Sequence, residues 1–259
     1  MTFRAVDTLA AADVIACEDT RVTAKLLSAY DIQSATVPYH EHNAAKMRPV
    51  LLDRLQRGQI VALVSDAGTP LISDPGYKLV RDAIDTDFPV TALPGASAPL
   101  AALAAAGLPT DRFLFAGFLP SRSVSRRNAL TSTESVAATL IFFESPRRLA
   151  DSLKDMHDVL GPREAVVARE LTKRFEEFRR GTLESLAEHY TAAGAPKGEV
   201  VVLVGPPGAM ATETEDLDSL LLQALGSMTV RDAAATVSAA TGRPRREVYT
   251  RALELDREK

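Results

Sequence analysis

The 259-residue chain carries 30 Lys and Arg against 34 Asp and Glu, and its net charge of −4 argues against a protein that coats nucleic acid by charge alone. A single cysteine, Cys17, excludes an intrachain disulfide, and no apolar run is long enough to span a bilayer. With 46% hydrophobic and 25% charged residues, a cytoplasmic globular protein of two modest domains or one large one, with no membrane partner, is expected.

Phe3, Val6, Leu9 and Ala10 at helical spacing predict a first helix over 2–13. Val14-Ile15-Ala16-Cys17 reads as a short buried strand that ends at Glu18-Asp19-Thr20-Arg21. A helix over 23–29 and a strand over 35–39 follow, and the strand runs into His40-Glu41-His42-Asn43. Residues 46–57 regain the 3.6 period, with Gly58 as a helix stop. Ile60-Val61-Ala62-Leu63-Val64, apolar throughout, reads as the best buried strand of the first half. Next come a helix over 79–84, a strand over 90–93, and an alanine-rich helix from Pro94-Gly95-Ala96-Ser97-Ala98 to Gly107. Further strands are predicted over 113–118, 139–143, 164–168 and 199–204, with helices between them.

Leu108-Pro109-Thr110-Asp111 reads as a boundary between two α/β domains, 1–109 and 110–205. Residues 206–216 read as a linker, and 217–259 as a helical extension. Two of its helices flank Thr241-Gly242-Arg243-Pro244 in the manner of a small helix-turn-helix. Alternating strands and helices imply parallel βαβ units, whose ligands sit beyond the carboxyl ends of the strands. The polar clusters lie at such ends.

The loop after Val64 holds Asp66, Ala67, Gly68, Thr69, Pro70, Asp74, Pro75 and Gly76. Glycines permit close backbone approach to a ligand and prolines stiffen the loop; an ordinary turn with self-satisfied aspartates is the alternative. Pro94, Gly95, Ala96 and Ser97 form a second strand-to-helix turn, where Ser97 serves a ligand or caps the helix. The dinucleotide fingerprint and the P-loop are both absent, so NAD and ATP are not expected. His40 and His42 have metal-like spacing without a third ligand nearby, and no metal is expected. Charges beside the later strands, at Glu144 to Arg148, Arg169 to Lys173 and Lys197 to Glu199, are either functional or paired structural ions. Arginines gather at 122, 126 and 127, at 147 and 148, at 174, 179 and 180, and at 243, 245 and 246, which makes a phosphate-contacting face credible.

At these residues the sequence resembles the tetrapyrrole methylase superfamily, and within it the members that methylate small-subunit ribosomal RNA. The resemblance rests on Cys17 to Arg21, His40 to Asn43, Ser65 to Gly76, Gly107-Leu108-Pro109, Gly117-Phe118-Leu119-Pro120, Phe143 to Pro146, Ala168 to Lys173 and Lys197 to Glu199, in family order. It implies a two-domain α/β methylase fold with a C-terminal helical extension, S-adenosyl-L-methionine as cofactor, and a homodimer. It also implies methylation of a cytidine ribose 2′-hydroxyl in the decoding region of 16S rRNA, on naked RNA or on the 30S subunit.

By the same resemblance, Asp66 to Pro70, Asp74 to Gly76, Pro94 to Ser97, Gly117 and Phe118 would bind the cofactor. Glu18, Asp19, Thr20, Arg21, His40, His42, Asn43, Arg147 and Arg148 would face the substrate. Candidate bases for the ribose proton are Glu144, Glu170, Glu199 and a neutralised Lys173 or Lys197; the lysines would otherwise orient phosphate. Family members usually open with a strand and a Pro-x-Pro-Ile-Gly-Asn-Leu-like loop, and the sequence given starts after them. Lower stability and poor activity are therefore expected of it. Arg147 stands where a histidine is common. The rival expectations are a precorrin-type tetrapyrrole methylase and a non-catalytic RNA-binding protein of the same fold.

Overall fold

The computed structural model describes residues 1–207, 212–226, 228–241 and 244–257. By internal contacts the chain divides into two compact units: Met1–Thr133 with Ala138–Gly205, and Glu134–Ala137 with Pro206–Lys259.

The larger unit holds two sheets. The first is parallel, with β1 (Val14–Cys17) between β2 (Ala35–Pro38) and β3 (Val61–Val64). All four β1 residues are buried because helices cover both of its faces. On one face α1 (Phe3–Ala11) and α2 (Thr20–Ala29) bring Leu9 and Leu27 to Ile15. On the other, α3 (Ala44–Gln56) and α4 (Tyr77–Asp85) bring Leu51 and Leu79 to Val14 and Ala16.

Two expectations fail in this sheet. Strand β3 is only half-buried, because it pairs with β1 alone and ends the sheet. Residues 90–93 join no ladder and form no strand; an apolar run becomes a strand only where a partner edge meets it.

The second sheet contains β4 (Phe113–Phe118), β5 (Thr139–Glu144), β6 (Glu164–Arg169), β7 (Glu177–Thr182) and β8 (Val200–Val204), in the order β4-β5-β8-β6-β7. Only β4 and β5 are parallel; β8 runs against both β5 and β6. The expected parallel pattern thus holds for the first sheet and not for the second. The unexpected strand, β7, is a charged edge strand, a composition that protects an open edge and hides the strand from a search for apolar runs. Central β8 is buried at every position. Helix α5 (Ala98–Ala106) lays Ala102, Leu103 and Ala106 against Ile141, Val166, Val201 and Leu203 of this sheet.

Helices α6 (Ser123–Thr131), α7 (Leu149–Leu160) and α8 (Leu183–Ala193) pack in series, α7 touching both others. Arg126 of α6 and Asp155 of α7 are both buried and paired at 2.6 Å, and the Ser123 hydroxyl donates to Asp155 as well. The smaller unit contains α9 (Thr212–Leu225), α10 (Val230–Thr241) and α11 (Arg245–Arg257) around Leu217, Leu221, Val237, Val248 and Leu255. Helix α9 starts inside the stretch read as a linker. Gly242 and Arg243, part of the expected turn and basic cluster, lie outside the described residues. Among the described residues no helix is long and apolar enough to cross a membrane.

Candidate functional site

The register of the first sheet aligns Cys17 with Pro38 and Val64. The segments after β1, β2 and β3 therefore leave the sheet side by side. Asp19 caps α2 by accepting the Arg21 N–H at 2.8 Å, and pairs with the Arg21 guanidinium at 2.6 Å. Those hydrogen bonds from Arg21 lower its carboxyl to about 2. The Asp19 N–H donates to Asp66 at 3.3 Å, linking the first segment to the third. Asn43 accepts the His40 N–H at 2.9 Å and donates to the Pro38 carbonyl at 2.9 Å, which fixes the turn after β2. His40 and His42 meet edge to face at 6.0 Å, and His40 Nδ1 is buried without a hydrogen-bond partner. No group of three metal-ligating side chains occurs among the described residues.

The loop after β3 is tightly constrained. Leu71 and Ser73 hold positive φ of 74° and 65°, conformations that side chains other than glycine rarely adopt. Gly76 sits at φ 137°, where an added Cβ would come within 2.7 Å of Leu63 and 2.9 Å of Leu71. The Thr69 hydroxyl donates to the Ala96 carbonyl at 2.8 Å, so the two turns expected at a cofactor are joined. Burial pushes the Asp74 carboxyl up, the Ser65 hydrogen bond opposes this, and the nearby Asp66 charge reinforces it. Ser73 also approaches β4: a Cβ on Gly117 would lie 3.5 Å from its hydroxyl. Ile72 and Phe118 stay exposed. Ser97 makes no side-chain cap bond, so its hydroxyl leaves the first-turn N–H groups of α5 unclaimed.

At the second sheet, the register aligns Phe118 with Phe143, and Glu144 with Val200 and Arg169. Because β8 is antiparallel to its neighbours, its incoming Lys197-Gly198-Glu199 lies at the end where β5 and β6 terminate. The Glu144 side chain is fully buried and engaged: it accepts the Ser145 N–H at 2.6 Å and the Ser152 hydroxyl at 2.6 Å, and pairs with Arg148 at 2.7 Å. Arg147 is exposed. Lys173 pairs with Glu170 at 2.9 Å and Glu199 at 3.0 Å. Glu170 also accepts the Glu199 N–H at 3.0 Å. Hydrogen bonds donated to Glu170 and Glu199 push the Lys173 ammonium up, and Lys173 holds Glu170 below the usual carboxylate range. The two carboxylates favour the charged form of Lys173 over the neutral one considered from sequence. At Gly198 φ is 95° and an added Cβ would collide with the Glu170 carboxyl, so a side chain there would displace Glu170 from the cluster. Arg169 binds Glu177 at 3.0 Å and the Lys197 carbonyl at 3.2 Å.

These strand-end charges are thus largely paired, as one of the two readings of the sequence held. Two participants escaped that reading. Ser152 has no local signal pointing to Glu144. Arg180 donates to the Ala106 carbonyl at 2.9 Å, holding the C-terminus of α5 from 74 residues away.

The family pattern described as Tetrapyrrole (Corrin/Porphyrin) Methylases matches residues 1–187, more than half of the chain. The chain belongs to the tetrapyrrole methylase family. A second pattern, described as the RsmI C-terminal HTH domain, matches residues 211–256. Among this methylase's relatives is the Ribosomal RNA small subunit methyltransferase I of Mesorhizobium japonicum, 56% identical over 98% of the chain and 87% of that protein. The protein of the same name from Escherichia coli O157:H7 is 45% identical over 98% of the chain and 90% of its own length. Among solved structures, a cobalt precorrin-4 methyltransferase matches 79% of the chain and 88% of its own with a TM-score of 0.59 at 20% identity. A diphthine synthase matches 79% of the chain and 84% of its own with a TM-score of 0.61 at 16% identity. The structural likenesses bear on fold alone, and agree with the α/β methylase fold read from the sequence. As a tetrapyrrole methylase, the chain is a methyltransferase whose donor is S-adenosylmethionine.

Proposed function

We propose that the chain methylates the ribose 2′-hydroxyl of a cytidine in 16S rRNA, free or within the 30S subunit, as a cytoplasmic homodimer. The hydrogen bond from Thr69 to Ala96 carries the reading, because it joins the two segments expected at the methyl donor in a chain with full-length relatives named for small-subunit rRNA methylation. We read residues 1–109 and 110–205 as the two methylase domains and 217–259 as an extension that meets RNA.

The residues present suit the donor. The uncapped N-terminus of α5 suits its carboxylate, and Asp66 and Asp74 suit its ammonium. Asp66 to Pro70, Asp74 to Gly76, Pro94 to Ser97, Gly117 and exposed Phe118 would together hold it. When bound, it supplies a methyl group already activated by the sulfonium.

The protein's task is then alignment and proton removal. Of the candidate bases, Glu144 is engaged through both oxygens by three donors, Glu170 is largely buried and takes both of its donors on one oxygen, and Lys173 is drawn toward its charged form by two carboxylates. Glu199, with a largely exposed side chain bonded to Lys173 through one oxygen, keeps a free oxygen for the ribose proton. Lys173 and exposed Lys197 then orient the adjoining phosphate. Glu18, Asp19, Thr20, Arg21, His40, His42, Asn43, Arg147 and Arg148 form the substrate-facing set.

The test is methyl transfer from labelled S-adenosylmethionine to 30S subunits from cells lacking the enzyme, with the modified position mapped. A single cytidine 2′-O-methyl is expected. A methylated base, or no transfer, would remove the proposal.

A further inference from the structure

Three arginines and one tyrosine line a groove in the C-terminal helices. Arg231 lies near the start of α10, Arg245 and Arg246 open α11, and Tyr249 follows one turn after Arg245 on the same side of that helix. Together they line an open groove of about 490 Å³. No ion pair involves Arg231, Arg245 or Arg246 among the described residues. Arg251 of the same helix differs: it is tied to Asp218 and Glu254, each at 2.6 Å. A second groove on this unit, which includes Glu247, Arg251 and Glu254, mixes both signs of charge. Among the described residues, no carboxylate lines the groove around Tyr249.

Clustered unpaired cations repel one another and gain most from a polyanion. Their protein carries a net charge of −4, so a bare cationic groove is a local feature and not a general excess. Tyr249, 40% exposed, adds a flat aromatic face among the guanidiniums. Phosphates satisfy the guanidiniums, and an aromatic face takes an unstacked base, which a duplex keeps inside its stack.

The geometry points to this groove as a binding site for unpaired RNA that captures the substrate without entering the chemistry. The inference rests on the rRNA methyltransferase reading and adds to it the residues and the strandedness of the RNA. Arg231 and Tyr249 belong to the site, while Arg251 serves the fold.

The test uses the full chain in two variants, R231Q/R245Q/R246Q and Y249L, with an unstructured RNA 20-mer and a hairpin of equal length as probes. Wild type binds the 20-mer more tightly than the hairpin. The triple variant weakens 20-mer binding by roughly tenfold or more, and flattens the plot of log K against log salt by about 2, as loss of three single-strand phosphate contacts requires. Y249L weakens binding by roughly fivefold or more with the salt slope unchanged. With 30S subunits, both variants raise KM while kcat and donor affinity stay at wild-type values. Unchanged 20-mer affinity in both variants, tighter binding of the hairpin, or a fall in kcat at constant KM would overturn the inference. Failure of wild type to methylate 30S subunits would instead strike the parent reading, and the 20-mer measurements would still decide this one.

Discussion

The Thr69 hydroxyl donates to the Ala96 carbonyl at 2.8 Å, and this bond ties the loop after β3 to the turn that opens α5. Thr69→Val keeps the side-chain shape and removes the donor. Donor affinity should fall roughly fivefold, the equivalent of about 1 kcal/mol for one hydrogen bond, with little change in Tm. Calorimetric titration with S-adenosylmethionine measures it. An unchanged Kd would take Thr69 out of the donor site.

Gly76 and Gly68 give a graded pair in the same loop. Alanine at 76 meets both the positive φ and the side chains of Leu63 and Leu71, whereas alanine at 68 meets only the positive φ of 70°. Gly68→Ala should cost about 1 kcal/mol and Gly76→Ala clearly more, of order 3 kcal/mol. Chemical denaturation of both variants decides the ranking, and equal losses would contradict it.

Removing Asp155 strands the Arg126 guanidinium in the interior. Asp155→Ala should destabilise by about 3–5 kcal/mol, because a lone buried charge is far worse than none. The double variant R126M/D155L should recover much of that loss. Denaturation midpoints of the two variants test this directly.

Asp19 offers a pH test. Its folded carboxyl is lowered to about 2 by hydrogen bonds from Arg21, against about 3.9 for an unfolded aspartate. A lowered folded pKa means that its stabilising contribution is complete above the unfolded value. The contribution is then lost as pH falls from near 4 through about 2. Asp19→Asn should therefore melt below wild type at pH 7 and converge with it near pH 2, as thermal scans across that range would register. A constant gap down to pH 2 would refute the assignment.

Lys173 holds Glu170 below the ordinary carboxylate range. Lys173→Met removes the main cause, so the Glu170 carboxyl should move up. Carbon-13 titration of Glu170 reads the shift without reliance on activity. A Glu170 titration that stays in place would show that its backbone donor from Glu199 suffices.

How much of this was visible in the sequence depends on the distance over which each element is determined. Val14 to Cys17 announced a buried strand because four consecutive apolar residues suit a position covered on both faces. Glu177 to Thr182 announced nothing, because an edge strand needs only a partner ladder, and charges suit its open side. Val90 to Leu93 misled for the converse reason: the composition was right but no edge paired with it. At the site, the segments at strand ends were readable from spacing alone. The links among them were not. Thr69 to Ala96, Ser152 to Glu144 and Arg180 to Ala106 join residues 27, 8 and 74 positions apart with no local pattern. The pairing that favours the charged form of Lys173 likewise depends on Glu199, 26 residues on.

The central place of β8 has a consequence for synthesis. The last strand of the second sheet inserts between β5 and β6, which carry unpaired inner edges until residue 204 has emerged. A nascent chain therefore holds two apolar edges open while some thirty further residues are made, and these are edges prone to association with other chains. The strand that closes them also delivers Glu199 and Gly198 to Glu170 and Lys173. Completion of the sheet and assembly of the cluster are one event, so a chain stalled before residue 200 carries neither.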